Sequence, residues 1–164
     1  MQLVIDIGNT DVVLGFFKDE TLATSFRIRA LKEESSIYFE YRIRYFLLEN
    51  DLPIQEIEQV VISSVVPILT PVFISITDDL FGFKPVVVSP ATMPFLQVNI
   101  DEPAELGSDL YANAVAAHRL FASNCVVIDF GTALTFTAVR AEGSIEGVAI
   151  APGLKTAVGA LFSK

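Results

Sequence analysis

The sequence predicts an α/β fold in which two mixed β-sheets are accompanied by helices. Short apolar runs at residues 2–6, 11–17 and 21–29 are separated by turn residues, as in an antiparallel meander. Helical patterns and short strands then alternate up to residue 122, and a second set of three β-rich runs begins near residue 124. This order differs from the regular βαβ alternation of a Rossmann sheet.

Each later element has a local signal. An apolar stripe of Ile37, Tyr41, Tyr45 and Leu48 predicts a helix over residues 35–49, which Ser35 or Ser36 can cap. The other predicted helices cover 67–80, where Pro67 stands at the entrance, 107–122, and a segment starting from Pro152. The remaining strands are predicted at 60–62, 84–88, 124–130, 133–140 and 145–151.

Composition narrows the class of protein. The 164 residues carry a net charge of −9, and the absence of a strong Lys/Arg cluster argues against nucleic acid as a partner. Cys125 is the only cysteine, so no internal disulfide and no zinc spacing is expected. The longest uncharged run, residues 60–77, contains two prolines, which argues against a membrane span. Because the amino terminus lacks a signal-peptide pattern, we expect a cytoplasmic protein.

The second set of strands repeats the first at an offset of 123 residues. Residues 3–10 and 126–133 both read as an apolar strand, Asp, an apolar residue, Gly and small polar or apolar residues. The repeat and the element order are typical of the duplicated ribonuclease H-like fold of actin, Hsp70 and the sugar kinases. We therefore predict a first domain at 1–122 and a partial second domain at 123–164. Since the second copy has only 41 residues, we expect a fragment or a shortened chain.

The motif Asp6-Ile-Gly-Asn-Thr10 has the form of a phosphate-binding hairpin. Gly8 permits a tight turn, while backbone amides and the side chains of Asn9 and Thr10 can donate to phosphate oxygens. Asp6 at the strand end can hold a magnesium ion. An ordinary hairpin turn is the alternative, but the second copy, from Asp129 to Thr132, favours two hairpins that grip one triphosphate.

Gly107, Ser108 and Asp109 open the helix over 107–122. An acid at a helix start is usually a cap or a partner of the helix dipole, and a general acid or base is the alternative. The single histidine, His118, is interpreted as an exposed helix residue and Cys125 as a small core residue.

Five motifs resemble those of the type III pantothenate kinases, in order and over the whole chain. They are Asp6-Ile-Gly-Asn-Thr10, Ser63-Ser-Val-Val-Pro67, Gly107-Ser-Asp109 followed by Tyr111-Ala-Asn-Ala-Val-Ala-Ala117, Asp129-Phe-Gly-Thr132, and Gly147-Val-Ala-Ile-Ala-Pro-Gly-Leu154. The resemblance implies an ATP-dependent kinase that forms 4'-phosphopantothenate, the first step of coenzyme A biosynthesis. It also implies a homodimer that needs Mg²⁺ and a monovalent cation, K⁺ or NH₄⁺.

The resemblance assigns roles residue by residue. Asp109 would be the catalytic base, and Asp129 would bind the monovalent cation. The pantothenate contacts would be Gly107, Ser108, Asp109 and Leu110. The ATP contacts would be Asp6, Ile7, Gly8, Asn9, Thr10, Asp11, Val12, Val13 and Thr132.

Three departures from the family pattern leave alternatives open. Leu110 stands where the family usually has an Arg that helps hold pantothenate, and Val148 stands where it usually has a second Gly. The family's chain also continues further, with a substrate-contacting threonine that has no counterpart here. Loss of an Arg removes a charged, bidentate contact. The alternatives are a relative that binds nucleotide or a partner without turnover, and a kinase for a less anionic alcohol.

Overall fold

The computed structural model describes residues 1–162 and divides the chain into two compact units, Met1–Val88 and Ser89–Lys164. Residues 163 and 164, the end of the predicted second copy, lie outside the described residues. The predicted boundary after residue 122 separates two sequence copies and stays a prediction. The compact units instead follow packing, since the helix over residues 108–121 contacts the second sheet.

The first unit is a five-stranded sheet with two helices. In chain order it contains β1 (Gln2–Ile7), β2 (Asp11–Lys18), β3 (Thr21–Arg29), α1 (Ser36–Glu49), β4 (Gln59–Ser64), α2 (Thr70–Phe81) and β5 (Val86–Val87), with a 3-10 turn at Ile54–Glu56. The strand order is β3-β2-β1-β4-β5, and β1 is antiparallel to β2 but parallel to β4. The predicted antiparallel start is therefore confirmed, and β1 lies at the centre of the sheet.

Alternation along the central strands builds the core of the first unit. Leu3, Ile5 and Ile7 of β1 are fully buried, whereas Asp6 between them is exposed. Since successive strand residues face opposite sides, one face of β1 packs and the other is accessible. Phe39 of α1 and Phe73 of α2 join the same core, with ring centroids 5.1 Å apart.

Helix α1 forms where predicted, but it does not bury the stripe that predicts it. Ile37, Tyr41, Tyr45 and Leu48 are all exposed, and the buried side chains are Phe39, Ile43 and Leu47. The helix carries two apolar stripes, and the sheet and α2 select the one with Phe39. Ser35 caps the helix, because its hydroxyl accepts a hydrogen bond from the amide of Tyr38 at 3.3 Å.

Helix α2 begins later than predicted. Pro67 lies in the preceding turn, the helix starts at Thr70, and Pro71 occupies the first turn instead. The Ser64 hydroxyl accepts hydrogen bonds from the amide of Val66 at 3.2 Å and from the Thr70 hydroxyl at 2.7 Å. These bonds hold residues 64–69 in a turn, which delays the helix. The strand expected at 84–88 pairs only at Val86–Val87.

The second unit is a four-stranded sheet in the order β6-β9-β8-β7. It contains β6 (Gln97–Val98), α3 (Ser108–Phe121), β7 (Cys125–Phe130), β8 (Ala133–Arg140), β9 (Ser144–Pro152) and α4 (Leu154–Phe162), with a 3-10 turn at Pro103–Glu105. Strands β7, β8 and β9 form the predicted antiparallel meander. Helix α3 contacts β7 and β8, and its buried residues include Leu110, Ala114 and Ala117, whereas Phe121 is exposed.

The second unit also presents apolar side chains to solvent. Val126, Ile128 and Phe130, on one face of β7, are 57%, 50% and 71% exposed. Helix α4 has no buried residue among those described. Within residues 1–162, no helix combines the length and the hydropathy that a bilayer crossing requires.

Candidate functional site

The turn at residues 8–10 lies at the end of the central strand of the first sheet. Ile7 pairs with Val12 of β2 on one side and with Ser64 of β4 on the other. The turn therefore lies at the end of the sheet where the parallel strands β1 and β4 have their carboxyl ends. The Gly8 amide donates to the Asp11 carbonyl at 3.0 Å, which closes the turn. The side chains of Asn9 and Thr10 are exposed, so polar groups that can bind an anion face solvent.

Some of the residues that flank the turn are buried in the core and others are exposed. Ile7 and Val12 are fully buried, so a predicted contact with phosphate can come only from their backbone. Asp6 is exposed, and its register partner on β4 is Ser63. The motif that includes Ser63 and Ser64 therefore lies beside the turn, with Ser64 tying the turn of residues 64–69 to α2.

Basic side chains surround this turn, and the sequence reasoning assigned them no role. Arg27 lies 3.0 Å and Arg29 3.9 Å from the Asp11 carboxylate. Lys32 Nζ lies 3.5 Å from Asn9 Oδ1, at the outer limit of a hydrogen bond. The register of the meander pairs Asp11 with Arg29, and this pairing could have predicted from the sequence that the arginines lie beside Asp11. Lys32 follows the paired strands, so no local pattern points to it.

The second hairpin turn, between β7 and β8, is held by the start of α4. The Gly131 amide donates to the Ala133 carbonyl at 2.9 Å. The Thr132 carbonyl accepts from the Gly153 amide and from the Thr156 hydroxyl, both at 3.1 Å. A Cβ at position 153 would clash with the carbonyl oxygens of Gly131 and Thr132. Only glycine fits at position 153, and the exposed Thr132 is positioned by this contact.

Asp129 lies on β7 beside helix α3. Its Oδ2 accepts a hydrogen bond from Asn113 Nδ2 at 3.2 Å. Thr135 of β8 is the register partner of Asp129, so the two side chains share one face of the sheet. Among the described residues, Thr135 Oγ1 is the one buried side-chain N or O atom without a hydrogen-bond partner. The sequence reasoning missed Thr135, although the hairpin register would have placed it opposite Asp129.

Helix α3 starts with the predicted acid in its first turn. Gly107 is the N-cap residue and makes no side-chain cap bond, while Asp109 Oδ1 accepts from the amide of Leu110 at 2.7 Å. Asp109 therefore lies inside the helix, where the macrodipole favours a carboxylate, instead of capping it. Leu110 is 7% exposed and lines a cavity of about 380 Å³.

Two other residues singled out by the sequence have structural contacts. His118 Nε2 lies 3.0 Å from the Ala141 carbonyl, so the imidazole contacts the turn between β8 and β9. Cys125 is half-buried at the start of β7 and is a free thiol. Neither residue lies among those that line the cavity.

The chain matches known proteins along its whole length. The family model described as type III pantothenate kinase matches residues 2–164. A type III pantothenate kinase of Moorella thermoacetica is 35% identical over 164 residues, which is all of this chain and 65% of that protein. This chain thus spans 65% of the length of that curated relative.

Solved structures show a similar fold at low sequence identity. The Ppx/GppA phosphatase of Aquifex aeolicus, in its type II variant, is 14% identical, with a TM-score of 0.55 over 99% of this chain and 56% of the other. The ethanolamine utilization protein EutJ of Carboxydothermus hydrogenoformans is 17% identical, with a TM-score of 0.53 over 92% of this chain and 51% of the other. These neighbours confirm the predicted fold class of mixed α/β sheets of the actin and sugar-kinase type.

Proposed function

This chain belongs to the type III pantothenate kinase family, and we propose that the whole protein transfers the γ-phosphoryl group of ATP to the primary hydroxyl of pantothenate. The product would be 4'-phosphopantothenate, an intermediate on the route to coenzyme A. The observation that carries the proposal is the exposed turn at residues 8–10 at the end of the central strand, with Lys32 beside Asn9. Phosphoryl transfer needs mainly positioning and charge stabilisation, which such a turn can supply.

We assign the ATP phosphates to the first hairpin turn. The amides and polar side chains of residues 8–10 would donate to phosphate oxygens, and Lys32 would contribute a positive charge. A chain with a net charge of −9 benefits from such a charge where a polyanion binds. Thr132, in the second hairpin turn, is proposed as a further ATP contact.

We assign the acceptor hydroxyl to the start of helix α3, where Gly107, Ser108 and Asp109 would contact the substrate. Asp109 would take the hydroxyl proton as the oxygen attacks the γ-phosphorus. The bond from that phosphorus to the β–γ bridging oxygen breaks, and ADP leaves with the electron pair. The hydrogen bond from the Leu110 amide would hold the Asp109 carboxylate in place.

The donor set fits the cations that the family implies. Among the described residues no group of three or more His, Cys, Asp or Glu side chains could hold a metal ion by itself. Magnesium often binds through one carboxylate plus substrate phosphates, and the exposed Asp6 can provide that carboxylate. The Asp129 carboxylate and the unpaired, buried hydroxyl of Thr135 are oxygen ligands suited to K⁺ or NH₄⁺. When bound, the cations would neutralise phosphate charge.

We also propose a homodimer in the cytoplasm. The exposed apolar side chains of α1, including Tyr41 and Leu48, and those of β7, including Phe130, support association. ATP as the phosphoryl donor supports a cytoplasmic location.

Phosphorylation of pantothenate, followed by ³¹P NMR with ATP and Mg²⁺, tests the reaction. We expect 4'-phosphopantothenate from the wild type and a loss of at least about 100-fold in rate for Asp109→Asn. Equal rates for the two proteins would contradict the role of Asp109. Binding of ATP without any product would favour the alternative, a relative that binds nucleotide without turnover.

Calorimetry with ATP tests the phosphate site separately. Lys32→Met should weaken ATP binding by roughly 3- to 10-fold, as expected for one partly screened charge contact. Lys84→Met is the matched control, because Lys84 precedes β5 and so lies at the opposite edge of the sheet. Equal losses for the two variants would show that only net charge matters.

A further inference from the structure

Tyr111 lies near the start of helix α3, and its side chain is almost completely buried, at 1% exposure. Its hydroxyl donates a hydrogen bond to the Met93 carbonyl at 2.6 Å. The same hydroxyl accepts hydrogen bonds from the amides of Phe95 at 3.0 Å and Leu96 at 3.1 Å. A phenol hydroxyl can donate and accept at once, and here both capacities hold the backbone of residues 93–96 against α3.

The backbone of Tyr111 holds the chain at a second point. Its amide donates to the Gly107 carbonyl at 3.0 Å, the bond that closes the first turn of α3. Leu96 and Gly107 are thus both bonded to Tyr111, so this one residue ties the two ends of the 96–107 segment. Asp109, the proposed base, lies in the same turn of the helix.

Strand β9 holds the 96–107 segment between its two ends. The Asn99 amide donates to the Ile145 carbonyl at 2.8 Å, and Asn99 Nδ2 donates to Glu146 Oε1 at 3.1 Å. The same Glu146 oxygen accepts from the Ser144 hydroxyl at 2.6 Å, which fixes the carboxylate that receives Asn99. The segment is therefore anchored to α3 at both ends and to β9 in between.

The 96–107 segment forms one side of a cavity beside the start of α3. The cavity has a volume of about 380 Å³, within the range of small-molecule sites. Residues between Asn99 and Leu106 line it from the segment, and Leu110, which directly follows Asp109, lines it from the helix. The placement of the segment against α3 thus sets the shape of the space next to the proposed base.

We propose that Tyr111 is a positioning residue for the acceptor site, which it shapes by holding both ends of the 96–107 segment against α3. Its side chain is buried, so it acts through the segment and through Gly107 instead of touching the substrate. The inference rests on the proposed function, because it concerns the acceptor site assigned to the start of α3. Such placement matters because a displacement of about 1 Å can lower a rate on the order of 100-fold.

Hydrogen exchange on the full 164-residue chain tests whether Tyr111 holds the segment. Tyr111→Phe removes the hydroxyl and keeps the ring, so the packing around it is retained. Backbone amides of the 96–107 segment should exchange at least about tenfold faster in this variant, because the segment opens locally. Amides of β7 and β8 should exchange as in the wild type. Unchanged exchange in the segment overturns the inference.

Calorimetry with pantothenate and with ATP tests the positioning role. Tyr111→Phe should weaken pantothenate binding at least about fivefold and leave ATP affinity within about twofold, because ATP is assigned to the hairpin turns. A residue that only stabilised the fold would not separate the two ligands. Equal losses of affinity for pantothenate and ATP therefore overturn the positioning role.

Asn124→Ala is the matched control in the same unit. The Asn124 side-chain oxygen accepts from the Ala141 amide at 2.9 Å, so this variant also loses a bond from a side chain to the backbone. Neither residue lines the cavity, and affinity for both ligands should stay at the wild-type value. A loss of pantothenate affinity as large as that of Tyr111→Phe would show general destabilisation and overturn the inference.

Failure of the inference and failure of the proposed function give different results. Pantothenate binding that Tyr111→Phe does not weaken overturns the positioning role alone. A wild type that binds ATP but no pantothenate overturns the acceptor assignment, and the positioning role with it. Hydrogen exchange measured on the same samples then still shows whether the hydroxyl of Tyr111 holds the segment.

Discussion

Substitution of Gly153 by Ala should destabilise the second unit and displace the turn that contains Thr132. The added Cβ would meet the carbonyl oxygens of Gly131 and Thr132 and the carbonyl carbon of Thr132 closer than van der Waals contact allows. These atoms belong to backbone, so they must separate by about 1 Å to reach ordinary contact. That movement also stretches the 3.1 Å hydrogen bond from the Gly153 amide to Thr132.

The steric clash and the weakened hydrogen bond together give the expected loss of stability. Overpacking of this kind costs about 1–3 kcal/mol, and the weakened hydrogen bond about 0.5–1.5 kcal/mol. We therefore expect the free energy of unfolding to fall by about 2–4 kcal/mol, with the unfolding midpoint lowered on the order of 10 °C. Because Thr132, the proposed ATP contact, moves with the turn, ATP affinity should fall as well.

Urea unfolding followed by circular dichroism measures the stability change, and calorimetry measures ATP binding. Gly147→Ala is the matched control, since Gly147 lies in the same motif and a Cβ there meets nothing within 4 Å. We expect the control to unfold within about 0.5 kcal/mol of the wild type. If Gly153→Ala also unfolds within that margin, the steric reasoning is refuted.

Substitutions of Gly8, Ser144 and Phe130 test three further features of the molecule. Gly8→Ala places a Cβ 3.2 Å from the Asp11 carbonyl, so calorimetry should show several-fold weaker ATP binding; unchanged affinity would contradict this. The hydrogen bond from Ser144 lowers the folded-state pKa of the Glu146 carboxyl below its ordinary value of 4.5. This hydrogen bond therefore stabilises the fold above pH 4.5, and the stabilisation is lost as the pH falls through the lowered pKa. Ser144→Ala should therefore be less stable than the wild type at pH 7 and approach it in acid, and a stability difference independent of pH would refute this assignment. Phe130→Ser should reduce self-association in sedimentation velocity, because Phe130 is 71% exposed on β7; an unchanged distribution of species would argue against this face.

Local signals were sufficient for much of the fold. The alternation of β1 to β3, the helical patterns of α1 and α3 and the repeat of the Asp-x-Gly hairpin predicted most of the element order that the structure shows, but the short strand β6 was not predicted. They succeeded because strand alternation and helix periodicity depend on neighbours in the chain. The start of α2 was placed too early, since hydrogen bonds to Ser64 extend the turn past Pro67.

Only part of the candidate site could be predicted from the sequence. The turn at residues 8–10 and Asp109 were recognisable as motifs. Lys32 beside Asn9 and the unpaired hydroxyl of Thr135 opposite Asp129 came from the structure. Lys32 and Asn9 are 23 residues apart in the chain, so no local pattern links them, and the burial of the Thr135 hydroxyl depends on tertiary packing.

A helix over residues 35–49 could be predicted from the spacing of its apolar residues and from Ser35 or Ser36 as a cap, because both signals are local and hold whichever face is buried. The choice of the buried stripe depended on tertiary packing. Packing against the first sheet and α2 buried Phe39, Ile43 and Leu47 and left Tyr41 and Leu48 in solvent. The same holds for Leu110. It lines a cavity whose charged lining residues are all acidic, and no pattern in the sequence predicts this place. The packing of α3 on β7 and β8, and the β9 side chains that line the cavity, put Leu110 there.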